Sequence, residues 1–247
     1  MRGIARALLG AATLATLAAC SSMTPIGPAP NYAAVIAAPD RTEADRKNDD
    51  RREPVKLLAF TGVRSGMKVL DMAAGAGYST EIMARGANPG TVYAQNPPGM
   101  PQKPIDALTE RMKSPAMKHA VMIERSFESP APADTHDLDL ITFFFGYHDT
   151  TYLPVDRLKM DKAMFDALKP GGTVVIADYA ASIADGTSVG KKYHRIGEEA
   201  LKREMLAAGF KFVDEGMFLR NPKDTHDFVV FNPKIPIDIF VVKFQKP

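Results

Sequence analysis

A short hydrophobic run, a glycine-rich turn and a helix start follow one another over residues 68–86. No other stretch of the chain restricts its fold as tightly. Val69 and Leu70 read as a buried strand, with Asp71 at its carboxyl end. Gly75 and Gly77 allow backbone conformations that a Cβ would oppose. The helix that opens near Tyr78 to Thr80 points its free N–H groups back at the turn. In open α/β sheets, ligands bind outside the carboxyl ends of the strands. The segment therefore predicts an α/β domain with a nucleotide-like ligand at this turn.

Two familiar ligand classes do not fit. A dinucleotide fingerprint needs Gly or Ala three residues after the second glycine, and Thr80 stands there. A phosphate loop needs Gly-Lys-Ser/Thr, which is absent. The order strand, acid, then spaced small residues, Asp71-Met72-Ala73-Ala74-Gly75-Ala76-Gly77, resembles motif I of the class I S-adenosylmethionine-dependent methyltransferases. Ala73 replaces that motif's first glycine, which is tolerable if its φ is negative. Downstream, Leu168-Lys169-Pro170-Gly171-Gly172 before the apolar run Thr173–Ala177 resembles the entry to strand five in the same superfamily.

The likeness extends over roughly residues 35 to 247. It is carried by Asp40-Arg41 to Thr61-Gly62, Gly146-Tyr147-His148-Asp149, Tyr193-His194-Arg195-Ile196, Leu219-Arg220-Asn221-Pro222 and the C-terminal Lys243-Phe244-Gln245-Lys246-Pro247. These segments resemble a bacterial group of predicted methyltransferases. The resemblance implies a Rossmann-like fold with a seven-stranded, mostly parallel sheet that ends in an antiparallel hairpin. It implies S-adenosyl-L-methionine as cofactor. Asp71, Ala73, Gly75 and Gly77 would hold the methionine moiety. Gln95, at the end of the strand Thr91–Ala94, would take the ribose, where the superfamily commonly has an acid; Asn96 is the neighbouring candidate. The Ser126-Phe127-Glu128 turn falls where adenine sits, which makes Phe127 a candidate contact.

The first residues read differently. Arg2 and Arg6 precede an apolar stretch, Ala7–Ala19, shorter than the ~20 residues of a membrane-spanning helix. Leu17-Ala18-Ala19-Cys20 then resembles a bacterial lipobox, and Cys20 is the single cysteine of the chain. The expected organisation is a signal peptide over 1–19, a lipidated Cys20 with a Pro-rich tether to residue 39, and one domain over 40–247. That plan puts the domain in the cell envelope, facing the periplasm. A start at Met23 would instead give a cytoplasmic protein. Lys plus Arg number 31 against 29 Asp plus Glu; Arg2 and Arg6 lie in the leader, so the remaining charges balance. A neutral domain argues against nucleic acid as the main partner.

Along the domain, the charged segment 40–53 reads as a solvated helix or as a lid over the cofactor. Helices are expected from Pro54, over Pro104–Lys113, from Pro154 and over Glu198–Ala208, with strands at Ala120–Glu124, Leu138–Phe145, Phe210–Leu219 and Ile237–Phe244. Residues 179–196 read as a long loop able to cover a substrate. Phe143, Phe144 and Phe145 are expected in the core on both sheet faces. Methyl transfer from a sulfonium is a single displacement, so the protein mostly aligns the reactants and excludes water. In the resembled fold the end of strand four borders the methyl group. Tyr147, His148 and Asp149 are therefore the candidate catalytic residues: His148 as proton acceptor with an acid orienting it, Tyr147 as a partner of the acceptor or the sulfonium. His194 is a weaker candidate on the loop. His119, His136 and His226 read as surface residues. No two histidines have metal-ligand spacing, so no metal is expected. The strand-four end lacks an Asn/Asp-Pro-Pro-Tyr/Phe element, which argues against methylation of nucleobases.

The expectation is a methyltransferase acting on a small molecule. The second reading is a lipid-anchored binding protein that keeps the fold without the chemistry. An envelope location speaks for it, because S-adenosylmethionine is made in the cytosol.

Overall fold

The structure is a computed structural model and describes residues 26–247. The leader and Cys20 lie outside these residues. Seven strands form one sheet: β1 (Val69–Met72), β2 (Val92–Asn96), β3 (Ala120–Glu124), β4 (Leu138–Phe144), β5 (Leu168–Tyr179), β6 (Lys211–Gly216) and β7 (Ile239–Gln245). Their order is β3-β2-β1-β4-β5-β7-β6. The first five are parallel, while β7 runs antiparallel between β5 and β6. The order reverses between β1 and β4, and this is where an open α/β sheet parts its loops to form a crevice.

The helices are α1 (Tyr32–Ile36), α2 (Glu43–Arg52), α3 (Pro54–Thr61), α4 (Tyr78–Ala87), α5 (Gln102–Arg111), α6 (Arg157–Ala167), α7 (Gly190–Tyr193) and α8 (Glu198–Ala207). Among the described residues, no helix is long and apolar enough to cross a membrane. Of the stretch expected as a tether, residues 26–39 are described and lie against the domain. Gly27 N donates to Ser65 O, Asn31 caps α1, and Tyr32 Oη donates to Val63 O.

Both faces of the parallel strands are covered, which explains their unbroken apolar runs. Leu57 and Leu58 of α3 and Ile82 and Met83 of α4 pack on one face with Val69, Leu140 and Val175. Met160 and Met164 of α6 and Leu201 and Met205 of α8 cover the other with Leu70, Ile141 and Ile176. Phe143 and Phe144 point to opposite faces, as the alternation of a strand requires. Phe145 leaves the pattern. Its φ is +60°, and its ring is half-buried at the carboxyl edge of the sheet.

Pro170-Gly171-Gly172, expected to precede strand five, lies within β5 at a shift of register against β4, with Gly171 at φ +78°. The 179–196 segment is less irregular than expected. It carries α7, and Ile196 bridges back to Ala180 beside the end of β5.

Candidate functional site

The glycine turn is held from beneath by side chains rather than left open. Asp71 is completely buried and accepts from Ser79 Oγ at 2.8 Å, Thr80 Oγ1 at 2.6 Å and Thr142 Oγ1 at 2.8 Å. Burial raises its pKa, and the three hydroxyls oppose that rise. It ties β1 to the first turn of α4 and to β4. The expected role of Asp71 as a direct ligand contact is therefore corrected: it anchors the turn. Ala73 departs from its expectation too. Its φ is +51°, the left-handed region that costs a residue with a Cβ roughly 1–2 kcal/mol. The position needs a glycine's freedom although the residue is alanine.

Gln95 is also turned inward. It is fully buried, its Oε1 accepts from Ala73 N at 3.0 Å and its Nε2 donates to Arg125 O at 2.6 Å. Asn96 grips Gly75 in the same way, accepting from its N and donating to its O. The two amides hold the turn where the sequence reading placed a ribose ligand. Gly77 serves packing, since a Cβ there would come within 2.6 Å of Leu108 Cδ1 on α5. At Gly75, φ +56°, a Cβ would meet only Ala73 O at 3.9 Å, so it is the less crowded of the two glycines on the ligand side. Phe127 is buried and stacks on Phe143 with centroids 5.6 Å apart, so its face is spent in the core; its neighbour Ser126 is exposed.

The charged segment folds as the largely exposed α2, tied by ion pairs to α4 and α5 beside the turn. Thr42 caps α2, and the helix crosses the start of α4. Arg111 of α5 pairs with Asp45 of α2 at 2.7 Å and with Glu81 of α4, while its Nε donates to Ala76 O in the turn. Asp49 of α2 takes Arg41 in a bidentate pair and accepts from Tyr78 Oη at 2.6 Å. Half-buried pairs with two hydrogen bonds each fix the helix more firmly than exposed ion pairs would.

On the far side, the structure separates Tyr147 from His148 and Asp149, the residues it was expected to act with. Tyr147 is fully buried and points away from the site, its hydroxyl 3.0 Å from Asp161 and 2.9 Å from Glu204. Its expected part in catalysis is corrected to a core hydrogen bond. His148 stays at the carboxyl edge. Its Nδ1 lies 2.8 Å from the buried carboxylate of Asp178, and its Nε2 lies 3.1 Å from Asp149. Burial alone would lower its pKa, but the two carboxylates outweigh burial and carry it up to about 10. At neutral pH His148 is an imidazolium and donates on both sides, so it does not take a proton as expected. Asp149 also accepts from the Tyr152 hydroxyl and lies 3.6 Å from His194 Nδ1. The rings of His148 and His194 meet edge to face, 5.4 Å apart. Fold topology makes this meeting, and their sequence separation gave no sign of it.

A cavity of about 510 Å³ opens beside this cluster, walled by Arg52, Phe145, Tyr179, Phe218, Arg220 and Ile237 among others. The Arg52 guanidinium lies 4.6 Å from the Tyr78 ring and 4.8 Å from the Phe145 ring. Burial lowers its pKa, and no carboxylate pairs with it among the described residues. Sequence reasoning missed Arg52, Phe145 and Tyr179. Arg52 was one charge among many in a polar helix; the signal available was its place in the last turn, next to the start of a buried helix.

No family model matches the sequence. The chain is 32% identical over 126 residues, 50% of its length, to a ubiquinone/menaquinone biosynthesis C-methyltransferase of Idiomarina loihiensis, of which that match covers 47%. The chain spans about half the length of the curated relatives it matches. Among solved structures, an S-adenosylmethionine-dependent methyltransferase from Aquifex aeolicus is similar at TM-score 0.61 and 18% identity, over 87% of this chain and 98% of that one. A glycopeptide N-methyltransferase complexed with sinefungin is similar at TM-score 0.55 and 16% identity, over 85% and 88%. The chain has the Rossmann-like fold of the class I S-adenosylmethionine-dependent methyltransferases, with its antiparallel C-terminal strands in place.

Proposed function

We propose that the protein is an S-adenosylmethionine-dependent methyltransferase acting on a small molecule. The observation that carries this reading is the continuity of two features. A braced glycine turn at the switch point between β1 and β4 adjoins a cavity at the ends of β4 and β5, and Arg52 stands between them. The methyltransferase relatives and structural neighbours support the same activity.

The residues present fit the methionine end of the cofactor. Gly75 gives the backbone access, the first turn of α4 offers N–H groups without a side-chain cap, and Arg52, with no carboxylate partner among the described residues, offers a desolvated cation for a carboxylate. When bound, S-adenosylmethionine supplies an electrophilic methyl group on a sulfonium. The protein's own part is placement. α2 braces the turn through Arg111, and the aromatic rings of Phe145 and Tyr179 wall the acceptor cavity. His148, charged at neutral pH, is a hydrogen-bond donor at the edge of that site. The cavity suits an acceptor with an apolar or aromatic body.

The test is calorimetry of the purified protein with S-adenosylmethionine and its demethylated product. Micromolar binding that Arg52→Met weakens supports the reading; absence of binding to both refutes it. From the sequence alone we also place the domain in the cell envelope through lipid on Cys20. Labelled palmitate in cells tests that placement, and an unlabelled soluble product would contradict it.

A further inference from the structure

The cluster at the carboxyl edge of β4 and β5 has the composition and spacing of a metal site. His148 Nε2, one carboxylate oxygen of Asp149 and a ring nitrogen of His194 lie within 4.8 Å of one another. Two of the separations are 3.1 Å, His148 Nε2 to Asp149 Oδ1, and 3.6 Å, His194 Nδ1 to Asp149 Oδ1. Bonds of about 2.0–2.2 Å at a tetrahedral ion put neighbouring donor atoms about 3.3–3.6 Å apart. The set meets that geometry with side-chain movements of about 1 Å. Two imidazoles and one carboxylate, with the remaining positions open, is a donor set suited to a divalent first-row transition ion.

We propose that His148, Asp149 and His194 bind such an ion, of the Zn²⁺, Fe²⁺ or Co²⁺ kind, at the edge of the acceptor cavity.

Three further features support the assignment. His148 presents Nε2 to the cluster because its Nδ1 is engaged by Asp178, a carboxylate with no exposed surface, and an ion binding there takes the place of the Nε2 proton, which is released to solvent. A histidine ligand held through its second nitrogen by a buried carboxylate is how metal sites fix ring orientation and tautomer. His194 sits in the left-handed region at φ +56°, ψ +49°, where the chain leaves α7. That strained backbone directs its ring at His148, and strain of this kind gathers at functional sites. Finally, the approach is built in. A Cβ at Gly190 would lie 1.9 Å from Thr151 Oγ1 and 2.9 Å from His148 O, so only glycine lets α7 pack against the turn that carries His148. On the open side, the side chains of Asp149 and His194 are 36% and 25% exposed, which leaves room for an exogenous oxygen ligand. Tyr179 packs 5.9 Å from the His148 ring and also lines the cavity, so the ion would border the acceptor.

The experiment is titration of tag-free, chelator-treated protein with Co²⁺ and Zn²⁺ in the absence of S-adenosylmethionine, followed by visible spectroscopy and calorimetry. It is thereby independent of methyl transfer. The expected result is one ion per chain with a Kd in the micromolar range or tighter, and visible bands of low-symmetry Co²⁺. His194→Asn, which keeps the left-handed backbone accessible, and Asp149→Asn should each weaken binding by more than about 100-fold. Asp178→Asn, acting through His148, should weaken it by about 10- to 100-fold. His119→Ala and His136→Ala should leave it unchanged. Paramagnetic shifts of the ring protons of both His148 and His194 in the Co²⁺-loaded wild type serve as a readout that needs no variant. No binding at about 0.1 mM metal, affinity unaltered in His194→Asn, or shifts confined to other histidines would overturn the proposal.

Discussion

His148 Nδ1 stands 2.8 Å from Asp178 Oδ1, and the same carboxylate accepts the backbone N–H of His148 and of Tyr179. One buried group thus fixes the ring, the turn that carries it and the end of β5. Asp178→Asn preserves the shape but replaces one acceptor oxygen by a donor and removes the charge opposite the imidazolium. Breaking a buried pair from one side costs about 3–5 kcal/mol. The variant should lose roughly that much stability in urea denaturation at pH 7, and the His148 pKa read by NMR should drop toward its ordinary value.

Two groups make the protein weaker in alkali. The His148 pKa is raised from 6.5 to about 10, and burial pushes Asp161 from 3.8 to about 8. A raised folded-state pKa gives stability that is complete below the unfolded value and disappears as pH climbs through the folded one. For Asp161 that window runs from about pH 4 to 8, and for His148 from about 6.5 to 10. The melting temperature should fall steadily from pH 6 to pH 10. Tyr147 has one hydroxyl proton for two carboxyl neighbours, so a protonated Asp161 completes the chain Asp161–Tyr147–Glu204. Asp161→Asn imitates that neutral form and should flatten the part of the profile below pH 8.

Ala73→Gly should stabilise the protein. The left-handed backbone costs alanine roughly 1–2 kcal/mol, offset in part by the greater freedom of glycine in the unfolded chain, roughly 0.4–1 kcal/mol. A gain of about 0.5–1 kcal/mol in a thermal melt is expected.

Arg111→Met should loosen α2 beside the turn. The side chain joins Asp45 of α2, Glu81 of α4 and the carbonyl of Ala76. Removing it leaves the buried Asp45 carboxylate unpaired, while Glu81 keeps only Arg85. Faster tryptic cleavage at Arg51 or Arg52 should result, with cofactor affinity reduced about 10-fold while the sheet's amide protection is unchanged.

Much of the fold was legible because it rests on local patterns. Pro54 opens α3 and Gly62 closes it at φ +71°, and the apolar run 120–124 coincides with β3. The antiparallel pair also falls close to the expected ranges: β6 begins one residue later and ends three earlier, and β7 begins two residues later and ends one later. The site was less legible, because its residues are chosen by side-chain direction. Asp71, Gln95 and Phe127 sit in the expected places but point inward, and sequence spacing does not distinguish a ligand contact from a clamp on the turn. His148 and His194 meet only because α7 folds back on Gly190, a long-range contact with no periodic signature. Arg52 owes its importance to the absence of a carboxylate partner among the described residues, which is a property of the packed structure.

The central claim is a braced cofactor turn joined to an acceptor cavity through Arg52, and direct titration of the purified protein with S-adenosylmethionine tests it. A micromolar Kd for the cofactor, a similar value for its demethylated product, and a loss of about 10-fold or more in Arg52→Met are predicted. Heat-free titrations with both ligands, on protein that melts cooperatively, would contradict it.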